Sequence, residues 1–506
     1  MRPLSGLTFD NSYARLHPAF FEVVDPTPLP DPLLVAFNPD AAALIDLDPA
    51  EGGRPDAARY LSGGMRIPGA EPIAQAYAGH QFGVWVPQLG DGRAFLLGEA
   101  RNGSGGSWDL HLKGGGQTRW SRSGDGRSVL RSSVREYLAS EALHGLGIPT
   151  SRALSIVGSP LLVERETAET AATIIRLAPC HVRFGTFEYF ATRGAADRLR
   201  ELADYVIEKH FASGGNGHFA PGDTPRYASF FAEVCRRTAR LMARWMAAGF
   251  AHGVMNTDNM SILGITLDYG PYGFLDDYDA GFICNHTDTG GLYAFDRQPA
   301  VGMWNCARLG DALMTLGPDP AATEHWQEAL ESYWPAFVIE YADLMRAKLG
   351  LTAAREEDAA LLRDLLALLQ EGRVDYTRFF QELTHVNGQP RARLGGDRSA
   401  VHGRMTGMFT DSPAVDAWLG RYETRLQAEG SDIAERRERM RRANPKYVLR
   451  NWVAQEAIEA AQRGDYELVE ALRRLLAAPF DEHPGMERFA EPPSPAARHI
   501  EVSCSS

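Results

Sequence analysis

Two hydrophobic periods divide this chain, and their order constrains its fold more than any other property of the sequence. From Gly83 to about Leu177 apolar residues alternate in short runs broken by glycines, whereas from Thr186 onward they recur at helical spacing over stretches far longer than a strand. Strands gathered in one half and helices in the other predict an α+β protein. The strand-like runs are Val84 to Leu89, Arg93 to Glu99 and Trp108 to Lys113, followed by segments around Leu154 to Val157, Leu161 to Glu166 and Ala172 to Leu177. Gly90-Asp91-Gly92 and Asn102 to Gly106 read as turns of an antiparallel meander. Between the two strand groups, Val134, Tyr137, Leu138, Ala142 and Leu146 share one face of a helix from Ser133 to Leu146, which Gly147 and Pro149 end. The helical half reads as Thr186 to Ala212, Tyr227 to Gly249, 322–350, 356–384, 412–443 and 447–478, with a basic, glycine-containing connection at 391–404. Short strands are expected at Ile262 to Ile265 and Gly273 to Leu275.

A length of 506 residues exceeds one ordinary core and suggests two lobes. The proline-rich residues 1–70 read as an extended arm packed on the lobes, 71–185 as a nucleotide-binding lobe, 186–485 as a helical lobe, and 486–506 as a flexible tail. A balance of 65 acidic against 52 basic residues, net −13, argues against non-specific binding to nucleic acid or anionic membrane. No apolar run is long enough to span a bilayer and the N-terminus has no secretory h-region, so a cytoplasmic location is expected. The five cysteines form no C-x-x-C pair, which leaves no zinc signature.

The chemistry concentrates in His252-Gly253-Val254-Met255-Asn256-Thr257-Asp258-Asn259 and Asp268-Tyr269-Gly270. Phosphoryl-transfer enzymes hold Mg²⁺ between an Asn of a catalytic loop and an Asp beyond it, because a hard cation bridging phosphates takes oxygen ligands. Asn259 and Asp268 fit those roles, but the position where small-molecule kinases keep their base is Val254. Upstream, the glycine turn at 90–92 followed by Lys113 matches the order of a kinase amino-terminal lobe. Only four lysines occur, so a Lys beside Gly114-Gly115-Gly116 suggests a site that wants a compact ammonium. Glu136 has two readings, as the acid partner of Lys113 or as part of the capping box Ser133-Val134-Arg135-Glu136. Arg176, within Ile174-Ile175-Arg176-Leu177, either faces an anion or snorkels to the surface.

With these pieces in order, the chain resembles the selenoprotein O family of kinase-like proteins over essentially its whole length. The matching segments are Ala76-Tyr77-Ala78-Gly79-His80-Gln81-Phe82-Gly83, Gly90-Asp91-Gly92-Arg93-Ala94, His111-Leu112-Lys113-Gly114, the loop at 252–259, Asp268-Tyr269-Gly270, Asn444-Pro445-Lys446-Tyr447 and Cys504-Ser505-Ser506. The resemblance implies a bilobal protein-kinase-like fold, with an antiparallel amino-terminal lobe carrying an αC-like helix and a large helical second lobe. It implies a protein adenylyltransferase that binds ATP in a flipped orientation and moves AMP onto Ser, Thr or Tyr hydroxyls of other proteins and of itself. UTP with Mn²⁺, γ-phosphate transfer and an inactive nucleotide-binding scaffold are the alternatives.

Carried over motif by motif, Gly90, Gly92, Arg93, Lys113, Asp125, Gly126, Arg176 and Arg183 are implied to bind the nucleotide. Asn259 and Asp268 are implied to hold Mg²⁺ or Mn²⁺, Asp258 to accept the hydroxyl proton, and Glu136 to pair with Lys113. A regulatory disulfide between Cys284 and Cys504 is implied as well. Many animal relatives carry selenocysteine where this chain has Cys504.

Overall fold

The structure, a computed structural model, describes residues 1–211, 224–317, 323–386, 403–500 and 502. It is an α+β protein. Its strands, in chain order, are β1 Thr8–Phe9, β2 Phe21–Val23, β3 Leu33–Phe37, β4 Ile73–Gln75, β5 Gly79–Gln81, β6 Val84–Val86, β7 Ala94–Arg101, β8 Ser107–Lys113, β9 Ser128–Val129, β10 Arg152–Glu164, β11 Ala168–Ala178, β12 Phe250–Ala251 and β13 Gly273–Phe274. Nine of these form one antiparallel sheet in the order β2-β4-β7-β8-β11-β10-β3, with β1 on β7 and β9 on β11. Three strands of the sheet thus come from the first seventy residues.

The meander differs from its sequence reading at one point that matters for the site. Val84–Val86 does not pair with β7 across a glycine turn; it pairs back on Gly79–Gln81 as a separate ribbon. Phe82 and Gly83, at φ 50° and 78°, make the turn that closes this ribbon. Gly90-Asp91-Gly92 is instead a loop leading into β7, anchored where the Asp91 N–H donates to the Gln75 carbonyl at 2.9 Å. The two expected strands near 154–166 are one, β10, whose register slips between Gly158 and Leu162 around Pro160, a residue with no N–H to give a ladder. Residues 262–265 form no strand; the chain turns at Gly264 (φ 68°), leaving a single bridge between Met260 and Thr266.

The helix Leu130–Gly145 begins straight from β9, with Val129 at its N-cap position. Ser133 and Glu136 therefore lie inside the helix, and the capping-box reading of Glu136 fails. The expected stretch Tyr227 to Gly249 is one unbroken helix, Thr224–Ala248, whereas the other long helical stretches of the second half are each broken. Asp358–Gly372 ends at Arg373 in the left-handed region, and Ser412–Glu429 ends at Gly430, also left-handed. No helix among the described residues is long and apolar enough to cross a membrane.

One apolar cluster joins the two halves. Ile73, Leu96 and Ile174 of the sheet meet Val134 and Leu138 of the helix 130–145, and continue through Phe187, Phe231 and Leu313 to Leu472 of the helix Glu467–Ala477. Arg135 fastens the same junction by donating to the Tyr272 carbonyl at 2.9 Å, with its guanidinium over the Tyr272 ring. The segment before the chain end packs back on the loop after β13, where His286 N–H donates to the Val502 carbonyl at 3.2 Å. The four lysines fall in distinct settings: Lys209 pairs with Glu99, Lys446 with Glu482, and Lys113 with Glu136. Lys348 is buried with its Nζ 4.4 Å from the Phe380 ring centre and has no carboxylate partner among the described residues.

Candidate active site

A cleft of about 780 Å³ opens between the sheet and the loops that follow β12. Gly90, Gly92, Arg93, Lys113, Asp125, Gly126, Arg176, Arg183, Asp258, Asn259 and Asp268 all line it, although they come from seven separate places in the sequence. Its roof is two glycine loops packed on each other. Gly90 has φ 86°, and a Cβ there would lie 2.5 Å from the Trp120 ring; at Gly126, φ 72°, it would lie 2.1 Å from the Gly116 carbonyl carbon. Only glycine fits either place. The Thr118 hydroxyl donates to the Asp91 carbonyl at 2.8 Å and ties the second loop to the first. Asp125 sits on the rim, where Arg165 grips its carboxylate at 2.8 and 3.0 Å.

The floor is a charge cluster. Lys113, at the end of β8, donates to Glu136 at 2.6 Å, and Arg176 on the neighbouring β11 donates to the other Glu136 oxygen at 3.1 Å. Lys113 and Arg176 overcome the upward push of burial and hold the Glu136 carboxyl below its usual range. Arg176 is only 2% exposed, so the snorkelling reading does not apply. It also donates to Asp268 Oδ1, while Arg183 donates to Asp268 Oδ2 and to the Asp258 carbonyl, the latter at 2.9 Å. Burial alone would raise the Asp268 carboxyl, but Arg183, Arg176 and Lys113 keep it well below the carboxylate range. Its backbone is left-handed, φ 55°, a region that Asp tolerates better than most residues. Arg93, Arg122 and Arg127 also line the cleft and make no ion pair among the described residues.

Asp258 and Asn259 occupy one short 3-10 turn, Thr257–Asn259. Burial pushes the Asp258 carboxyl up to about 7, against the opposing pull of Gln81 and Arg183. Gln81 donates to Asp258 Oδ2 at 3.2 Å, and Oδ1 is buried with no hydrogen-bond partner among the described residues. A carboxyl poised near neutrality beside a cleft is a candidate proton acceptor. Val254 lines the same cleft, so no carboxylate stands where the kinase base would be. The Asn259 amide donates to the Val254 carbonyl at 3.0 Å, which leaves its Oδ1 without a donor among the described residues.

Asn259 Oδ1 and the Asp268 carboxylate fit a hard divalent cation: they are oxygen donors on one cleft wall, and too few to bind it without a ligand's phosphates. No group of three or more His, Cys, Asp or Glu that could hold a metal occurs among the described residues. Cys284 lies apart from the cleft lining, buried behind the catalytic-type loop; a Cβ on Gly253 would come within 2.5 Å of its sulfur. Cys504 lies outside the described residues.

Sequence reasoning left several site residues without a role. His111 lies two residues before Lys113 on β8, on the same face of the strand and opposite to Leu112. Its Nδ1 accepts from Arg176 Nη2 at 2.7 Å and its Nε2 faces Asp91 at 3.3 Å, which fixes a neutral imidazole between guanidinium and carboxylate. Burial depresses its pKa to about 4. Tyr77 lies under the Arg183 guanidinium at 4.7 Å. The signal for both was their place in the segments 76–83 and 111–114, but Arg176 lies 65 residues from His111 and Arg183 lies 106 from Tyr77, and nothing local announces those contacts.

Residues 3–477 match the family described as protein adenylyltransferase SelO. Among curated proteins, the "protein nucleotidyltransferase YdiU" of Myxococcus xanthus is 54% identical over 506 residues, covering all of both chains. Proteins of the same name from Azotobacter vinelandii and Thioalkalivibrio sulfidiphilus are 51% and 52% identical, again over the full length of each. The chain belongs to the protein adenylyltransferase SelO family and is a nucleotidyltransferase.

Proposed function

We propose that this protein transfers AMP from ATP onto Ser, Thr or Tyr hydroxyls of other proteins and of itself, in a bilobal protein-kinase-like frame with its nucleotide lobe at 71–185 and its helical lobe at 186–485. The observation that carries the reading is the pairing of two features in one cleft. Three buried or half-buried cations beyond Lys113 crowd around Asp268, and the one carboxyl poised near pH 7 is Asp258, displaced from the kinase base position that Val254 fills.

Asp258 accepts the proton of the acceptor hydroxyl as its oxygen attacks the α-phosphorus. The bond from that phosphorus to the α,β-bridging oxygen breaks, and pyrophosphate leaves with the electron pair. Arg93, Lys113, Arg176 and Arg183 supply fixed positive charge to the leaving pyrophosphate, an arrangement needing no reorganisation as charge develops. Mg²⁺ or Mn²⁺, held by Asn259 and Asp268 when bound, would add Lewis-acid stabilisation of the phosphate oxygens. Gly90, Gly92 and Gly126 let backbone approach the nucleotide where side chains could not. An oxidation-sensitive pairing of Cys284 with Cys504 belongs to the same proposal, and mass spectrometry of the oxidised protein finding both thiols free would remove it.

The decisive experiment feeds α-labelled and γ-labelled ATP in parallel, with Asp258→Ala as control. Label on protein from the α position only, lost in the variant, is the expected result. Label retained only from the γ position would replace this reading by a kinase.

A further inference from the structure

Asp268 is asked to ligate a cation, yet both of its carboxylate oxygens already serve arginines: Oδ1 accepts from Arg176 and Oδ2 from Arg183. These are not surface pairs that exchange freely with water. The two arginine side chains are each 3% exposed and are held from behind, Arg176 by Glu136 and His111, Arg183 by the carbonyls of Asp258 and His181. Neither guanidinium can withdraw into solvent. A divalent cation approaching Asp268 therefore meets two fixed positive charges on the carboxylate it needs, with Lys113 close behind on Glu136.

What relieves that conflict is a second source of negative charge in the cleft. Phosphate oxygens present guanidiniums with the same bidentate geometry as a carboxylate. From the crowding around Asp268 we infer that Arg176 and Arg183 make metal and nucleotide binding mutually dependent. The arginines occupy Asp268 in the free protein, and a polyphosphate that takes over their hydrogen bonds releases the carboxylate for the metal. The free protein is then a poor metal binder by construction, and the same two side chains that recognise the phosphates control access to the metal ligand. Because such coupling is reciprocal, the metal must raise nucleotide affinity by the same factor that nucleotide raises metal affinity.

This inference rests on the assignment of Asn259 and Asp268 as metal ligands, so the test separates the two. Binding of Mn²⁺ alone to the nucleotide-free protein is titrated by electron paramagnetic resonance in the parent, Arg176→Gln, Arg183→Gln, and each of these combined with Asp268→Asn. Each single variant is expected to bind Mn²⁺ at least tenfold more tightly than the parent, within the usual range of coupling between two sites, and Asp268→Asn should cancel the gain. The two arginine variants are read independently, each with its thermal unfolding checked. If either folds as the parent does and gains no affinity, the inference is overturned. A measurement on the parent guards against misfolding of both: Mn²⁺ should bind at least tenfold more weakly without a non-transferable ATP analogue than with it, and equal affinity overturns the inference. With the analogue present, Asp268→Asn and Asn259→Ala should each weaken Mn²⁺ binding. If neither does, the metal-site assignment itself fails.

Discussion

Replacing Lys348 by Met should stabilise the protein, and by an amount that depends on pH. Lys348 ends the helix Tyr333–Lys348 inside an apolar cluster, against the rings of Phe380 and Tyr376 and without a carboxylate among the described residues. Burial lowers its pKa from 10.5 to about 7. The unfolded chain therefore binds a proton that the folded one does not between about pH 7 and 10.5, and stability rises with pH across that window. At about 1.4 kcal/mol for each pH unit of separation, carrying this side chain costs the fold on the order of 4 kcal/mol at pH 7 and about 2 kcal/mol at pH 9. Met has a similar length, no charge and the flexibility to fill the space.

Urea unfolding of parent and Lys348→Met at the two pH values, followed by both circular dichroism and tryptophan fluorescence, reads the difference directly. Other groups titrate over the same range, but they cancel between the two proteins. The variant should be the more stable at pH 7, with its advantage shrinking by about 2 kcal/mol at pH 9. An advantage that does not change with pH, or a loss at both, would show that the ammonium reaches water or an acid partner and that the burial argument is wrong.

Glu136→Gln should cost on the order of 3 kcal/mol of stability without nucleotide, because it leaves Lys113 short of its only carboxylate among the described residues and Arg176 with one fewer; chemical denaturation checks it. Asp258→Asn should lower transfer by roughly 10²- to 10⁴-fold while nucleotide affinity, measured by calorimetry, stays within a few-fold of the parent. Gly126→Ala should weaken nucleotide binding more than Gly90→Ala, since its Cβ meets backbone rather than the edge of a ring; equal effects would mean that the loop 117–126 yields easily.

The parts of this site that were legible in the sequence are those fixed by order along the chain. A glycine loop, a lysine ending a strand and an Asn and Asp beyond a long helix needed only composition and spacing, which left Glu136 with two readings. Strand pairing was less accessible, because Val84–Val86 satisfies its apolar pattern equally well against β5 or β7, and only the left-handed turn at Phe82 and Gly83 decides between them. The start of the helix 130–145 was misplaced for a related reason: it grows directly from β9, and the serine that resembled a cap is already inside it. The arginine cluster on Asp268 was out of reach altogether, since Arg176 and Arg183 meet it across 92 and 85 residues.

The shared apolar cluster has a consequence for how this protein tolerates change. Because Leu472 and Val134 belong to the same packed mass as Ile174, two residues before Arg176, a cavity cut into the helix 467–477 falls in the core that supports the cleft. A truncation that removes the late helices would strip one wall from the core on which the strand carrying Arg176 rests.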